Sequence, residues 1–209
     1  SPDSFIFVAE RHRLMLALGE WVLREAAHTA RRWREQGLTE GLGAMRIAVN
    51  LSRMQFNLDG FGDTVRRVLA EAGAPGHWLE LELTERMLIE DIEHAPTTLA
   101  ALRAQGLTVS VDDFGTGYTS LAHLTELPLD KLKIDQSFVA RLPDDVGAQA
   151  ITRAIVQMAV GLGLTVTAEG VRNAAQWQLL ASWGCQQFQG ELVGAPMSAA
   201  DFEAWVRTR

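Results

Sequence analysis

The chain has 209 residues, and 19 basic against 26 acidic side chains give it a formal net charge of −7. That balance excludes a surface built to neutralise a nucleic-acid backbone, because no basic excess exists to displace counterions. A hydrophobic share of 47% with 22% charged residues is ordinary for a folded domain and argues against disorder.

A helical stretch is predicted over 5–12 and a longer one over 17–35. The first β-branched run follows at 45–51 (MRIAVNL). A helix over 61–72 comes next, with Val65, Val68 and Leu69 on one face. Strands are then predicted at 79–84 (LELELT), 107–112 (LTVSVD), 131–134 (KLKI) and 164–169 (LTVTAE), with a weaker one around 185–189. Helices over 94–105, 120–127, 148–161 and 174–183 separate them. Gly37, Gly73, Gly106, Gly163 and Gly184 supply the stops, because glycine takes the left-handed C-terminal position without a Cβ clash. Such alternation means a parallel sheet with crossover helices.

An open doubly wound sheet and a closed (β/α)8 barrel both satisfy that pattern. The open sheet is marked by a glycine-rich phosphate turn after its first strand, and no GxGxxG or GxxxxGK[ST] occurs. The barrel is marked by polar groups at the C-terminal ends of its strands. Here those ends read Asn50, Glu82, Asp112 with Asp113, Lys133, Glu169 and Gln189, which selects the TIM-like barrel. Eight strands are needed and six are found, so the first two strands are expected to be missing upstream of Ser1.

Strand ends of a barrel converge on one mouth, so these carboxylates would share a small volume. They cannot all stay ionised together without cations, because like charges raise one another's pKa. An all-oxygen set suits hard divalent ions such as Mg2+ or Mn2+, and two ions can activate a water and polarise a phosphoryl oxygen. Any one strand-end acid is more often a helix cap or a solvated charge. Lys133 resists that bland reading, since apolar Leu132 and Ile134 send it to the opposite face of its strand. The six tryptophans and the Arg31-Arg32-Trp33-Arg34 run read as packing and helix surface. The lone Cys185 cannot form an intramolecular disulfide and reads as a small buried apolar residue. No apolar run approaches the roughly 20 residues of a membrane span, and the first residues lack a signal-peptide pattern. A cytoplasmic location is therefore expected.

The ordered motifs resemble the EAL domain family of cyclic di-GMP phosphodiesterases and their non-hydrolysing receptor relatives. They are Pro2-Asp3-Ser4-Phe5-Ile6 with Ala9-Glu10, Val49-Asn50-Leu51-Ser52, and Glu82-Leu83-Thr84-Glu85. Then come the DDFGTGY run from Asp112 to Tyr118, Leu132-Lys133-Ile134-Asp135 with Phe138-Val139, Ala168-Glu169-Gly170-Val171, and Gln189-Gly190. The resemblance covers nearly the whole chain and implies one EAL-type barrel domain over 1–209.

It implies that Asn50, Glu82 and Asp112 ligate a first metal ion and that Asp113 and Glu169 stand at a second, the ions being Mg2+ or Mn2+. Lys133 matches the lysine that acts on the attacking water, with Glu169 counted beside it as catalytic. Glu85, also counted as catalytic, matches a glutamate that steadies the loop after Asp113, near the family's dimer contact. Gln189 and Asp135 are assigned to substrate binding. The implied reaction opens cyclic di-GMP to linear pGpG, and the implied partners are a second copy and an upstream sensory or GGDEF module. The Glu-Ala-Leu motif itself belongs to the strands expected upstream of Ser1. Arg172 stands where the family usually has glutamate, which favours the alternative of a catalytically inactive cyclic di-GMP receptor. Glu191 and Ala195 also depart from the family pattern.

Overall fold

Strand and helix alternate along the chain, and several helices begin at a capping side chain or a glycine turn. The computed structural model describes residues 6, 8–9, 14–41, 45–91, 94–117 and 121–208. Motif residues Pro2 to Phe5, Glu10 and Tyr118, most of the helix expected over 5–12, and Ser120 fall outside these. The chain divides into two compact units, Ser1–Leu83 with Asp91–Val109, and Thr84–Glu90 with Ser110–Arg209.

In the first unit, helix α1 (Met15–Glu35) buries Leu23, Ala26, Ala27, Ala30 and Trp33, a stripe at helical spacing. It packs on the one-turn helix α2 (Arg53–Phe56), helix α3 (Phe61–Ala72) and strand β1 (Ile47–Asn50). Close approach to α2 demands Gly19, since a Cβ there would stand 2.1 Å from the Gln55 side chain. Ser52 and Gln55 close a capping box at the start of α2. β1 pairs in parallel with β2 (Leu79–Thr84), placing Asn50 opposite Glu82. Leu79, Leu81 and Leu83 are at most 1% exposed, while Glu80 and Glu82 are buried on the other face. Such two-sided burial is the mark of a strand covered on both faces. Helix α5 (Ala95–Arg103), which follows α4 (Glu85–Glu90) in sequence, packs on α3 through fully buried Leu99 and Leu102.

In the second unit, β3 (Thr108–Phe114), counted here from Ser110, is followed by β4 (Lys131–Ile134), β5 (Thr165–Ala168) and β6 (Gln187–Phe188). The strands run parallel in chain order, β3-β4-β5-β6. Between and after them lie α6 (Leu121–Glu126), α7 (Gln136–Val139), α8 (Val146–Gly161), α9 (Ala174–Trp183) and α10 (Ala199–Arg207). Leu132, Ile134, Val166 and Ala168 are fully buried. Asp135, Asp145, Asn173 and Ser198 cap α7 to α10 with side-chain oxygens, each cap worth about 1 kcal/mol.

The expected strands are all present, with β1, β5 and β6 trimmed at their ends and β3 starting one residue later and running two residues further. Trp33 is a packing residue, as expected, but Trp21 and Trp177 are 58% and 45% exposed. Trp21 lies off the buried stripe of α1, and Trp177, though partly exposed, stands edge-on to Phe188 at 6.0 Å. Arg34 of the basic run stacks over Trp78 at 4.4 Å and Arg31 pairs with Glu35.

Candidate active site

The site in the second unit is built on a bulge. Ser110 lies opposite Lys131 and Val111 opposite Leu132, but the next registered pair is Phe114 with Ile134. Asp112 and Asp113 therefore share the single position Lys133, an extra residue that bends the strand and re-aims its side chains. Asp113 takes φ +54°, the left-handed region, and no other non-glycine does so among the described residues. That conformation costs an L residue about 1–2 kcal/mol, least for Asn and Asp, and such strain clusters at functional sites. The Asp112 carboxylate steadies it by accepting the Asp113 N–H at 3.0 Å.

Because Leu132 and Ile134 occupy one face of β4, Lys133 occupies the other. Its side chain is only 5% exposed, and its ammonium stands 2.7 Å from Glu169 Oε1 and 3.1 Å from Asp112 Oδ1. Asp112, Asp113 and Glu169 each offer a carboxylate oxygen, all within 4.8 Å of one another. Burial pushes the Glu169 carboxyl above its ordinary value while Lys133 opposes the shift. Asp113 is also raised, first by burial and then by the charges of Asp112 and Asp135. The Asp135 carboxylate meanwhile caps α7, accepting the Ser137 N–H at 2.9 Å. Acids so crowded are stabilised by added positive charge, and an all-oxygen donor set fits Mg2+ or Mn2+.

Glu85 opens α4 and is 3% exposed. Its Oε2 accepts the N–H of Gly115 at 2.9 Å and of Gly117 at 3.2 Å, which ties down the loop after Asp113. A cavity of about 500 Å3 opens between α4 and that loop, lined by Ile89, Glu85, Asp113 and Thr116 among others. Gln189 is exposed just past β6, its backbone bonded to Ala168 and Val171. Arg172 is exposed after β5 and gives its N–H to Gln176 Oε1.

Asn50 and Glu82 belong to the first unit, where they are neighbours across the β1–β2 pair, and the Leu51 N–H bonds to the Glu82 carbonyl at 2.9 Å. Glu82 is buried and Asn50 exposed. The structure thus brings together Asn50 with Glu82, and separately Asp112, Asp113, Lys133, Glu169 and Asp135. Sequence reading missed Gln176, a buried amide linking loops beside this second group. Its visible signal is the N-cap pattern Asn173-x-x-Gln176.

Parallel strands interleaved with helices and ending in acids define a TIM-barrel-type domain with a carboxylate-lined site. The EAL domain family model matches residues 1–196, and the chain belongs to that family. Among its relatives is the bifunctional diguanylate cyclase/cyclic di-GMP phosphodiesterase MucR of Pseudomonas aeruginosa. The identity is 40% over 206 residues, covering 99% of this chain and 30% of MucR. The solved MucR phosphodiesterase in complex with cyclic di-GMP superposes with a TM-score of 0.89 at 40% identity, over 96% of this chain and 80% of that one. For the EAL domain of Mycobacterium smegmatis DcpA the TM-score is 0.85 at 38% identity, covering 92% and 84%. Klebsiella pneumoniae BlrP1, solved with manganese and cyclic di-GMP, gives 0.74 at 29% identity, covering 91% and 47%. The fold is that of an EAL domain of TIM-barrel type. The chain spans about a quarter to a third of the length of the curated relatives it matches.

Proposed function

We propose that this chain, over 1–209, is a phosphodiesterase domain that opens one phosphodiester of cyclic di-GMP to give linear pGpG. The observation that carries the reading is Lys133, held between Asp112 and Glu169 and beside Asp113 on its bulge. Asn50 with Glu82, and Asp112, Asp113 and Glu169, are assigned as the ligands of Mg2+ or Mn2+ ions. When bound, such ions supply an activated water and a polarised phosphoryl oxygen.

The chain's own groups do the positioning. Glu169 and Asp112 fix the Lys133 ammonium, whose donors orient the attacking water and offset charge developing on the phosphate. Glu85 holds the loop at 115–117 and so fixes where Asp113 points. Asp135 and Gln189 are assigned to the substrate. The reading carries with it a homodimer near the Glu85-held loop, an upstream sensory or GGDEF module, and a cytoplasmic setting. No helix among the described residues is long and apolar enough to cross a membrane.

A second reading, a cyclic di-GMP receptor without turnover, is favoured by Arg172, a cation three residues past Glu169. One assay separates the two. The protein is purified with its native upstream sequence, given Mg2+ or Mn2+ and cyclic di-GMP, and followed for pGpG by chromatography. Turnover that Glu82→Ala and Lys133→Ala abolish supports the enzyme. Tight binding without turnover supports the receptor, and a large rate gain in Arg172→Glu would show the native site to be impaired.

A further inference from the structure

The loop after β5 and the turn after α7 meet at one side chain. Gln176, at the third position of α9, is 3% exposed. Its Oε1 accepts the N–H of Arg172 at 2.8 Å. Its Nε2 donates to the carbonyls of Val139 at 3.0 Å and Leu142 at 3.2 Å. The helix itself is capped independently, by Asn173 Oδ1 accepting the Gln176 N–H at 3.0 Å. The side chain amide therefore serves other segments than its own helix.

Those segments are the ones that carry the site. Arg172 closes the short loop that begins with Glu169. Val139 and Leu142 end the α7 turn that begins with Asp135, two residues beyond Lys133. The two segments are packed without slack, since a Cβ on Gly170, at φ +69°, would stand 2.7 Å from the Gln136 Cβ. Only a primary amide of this length joins them as observed. Glutamate lacks the donors and would face two carbonyls with a charge, asparagine is one methylene short, and an apolar chain removes the bonds to the Leu142 carbonyl and the Arg172 N–H, leaving the Val139 carbonyl only the Leu142 N–H.

We infer that Gln176 is a positioning residue of the active site: it pins the Glu169 loop to the Asp135 turn, so that the Glu169 carboxylate meets Lys133. Side chains that orient a metal-binding group from behind it typically change affinity or rate by ten- to hundredfold when removed. The inference rests on the phosphodiesterase reading above.

The test compares Gln176→Met, which keeps the volume and loses all three bonds, with Gln176→Glu, which keeps the acceptor alone. Leu180→Val, a fully buried position of the same helix, serves as the packing control. All are made in the protein with its native upstream sequence. Three quantities are read: thermal midpoint, Mn2+ affinity by calorimetry, and kcat and KM for cyclic di-GMP. The expected result is an Mn2+ affinity about tenfold weaker and a kcat down by about ten- to hundredfold in both Gln176 variants, with KM within about threefold. Leu180→Val lowers the midpoint while leaving Mn2+ affinity and kcat in place. Wild-type turnover together with unchanged Mn2+ affinity and kcat in Gln176→Met overturns this inference alone. Equal losses in Leu180→Val, at a matched midpoint, also overturn it by showing a packing effect. A wild-type protein that neither binds Mn2+ nor forms pGpG overturns the functional reading and this inference with it. Mn2+ binding without turnover overturns the reading but leaves the affinity comparison decisive for Gln176.

Discussion

The Lys133 ammonium stands 2.7 Å from Glu169, a contact between a β4 side chain and the residue just past β5, both mostly buried. Removing the lysine leaves its acids facing one another. Lys133→Met is expected to lower kcat by at least about a thousandfold, since the group that orients the water is gone, and to cost about 3 kcal/mol of stability. The Glu169 carboxyl is already raised by burial. The folded state therefore holds its proton more tightly than the unfolded chain does, and stability falls as pH rises through the carboxylate range. Without Lys133 the fall should be steeper. Urea unfolding of the metal-free protein at about pH 5 and about pH 7.5 measures it, and equal slopes for variant and wild type would contradict the coupling.

Asp113 carries a similar conflict. Its carboxyl is raised by burial and by the charges of Asp112 and Asp135. By the same sign argument, metal-free Asp113→Asn should be more stable than wild type near neutral pH. Saturating Mn2+ should reverse the order. Thermal melts with and without the ion decide this, and a variant less stable under both conditions would count against it.

Glu85 accepts two backbone N–H groups that have no strand or helix partner of their own. Glu85→Ala should expose the amides of Gly115 and Gly117 to fast hydrogen exchange and cost about 2–3 kcal/mol. Gly117→Ala should have a milder effect of the same kind, because its Cβ would press on Glu85 Oε1 at 2.9 Å. Unchanged protection in Glu85→Ala would remove the loop-tying role.

Burial pushes the Cys185 thiol up to about 11. At about pH 8 it is thus almost wholly protonated, and the thiolate is the reactive form. A disulfide reagent should leave it largely untouched in the native protein and titrate one thiol per chain in guanidinium. Rapid native labelling would show the region around β6 to be open.

The core was legible because its signals are long. β2, β4, α3 and α9 were read to the residue from alternation, helical spacing and glycine stops. Short pieces were not: α4 and α7 hold fewer than two turns each, too little for a period to show, and α10 buries no side chain, so its apolar spacing has no core to answer to. Among site residues, Asp112, Lys133 and Glu169 were legible because each ends a strand. The contact of Asp113 with Asp135 depends on a shift in pairing that no single strand records. Gln176 was passed over, because an N-cap pattern marks a helix start and says nothing of the three backbone groups its side chain meets.

That shift in pairing has a consequence for the strand itself. Ser110 and Asp112 share the face of Lys131 and Lys133, and strict alternation would add Phe114 to them. Instead Phe114 is registered with Ile134 and 5% exposed, on the side of Val111 and Leu132. One supernumerary residue has inverted the odd–even parity of β3. Deleting either aspartate would therefore do more than remove a carboxylate, because it would restore plain alternation, with the ring still opposite Ile134, and so abolish the bulge that re-aims the acids. Losing the side chain and losing the residue are thus different edits: Asp113→Asn keeps the bulge, and a deletion straightens the strand.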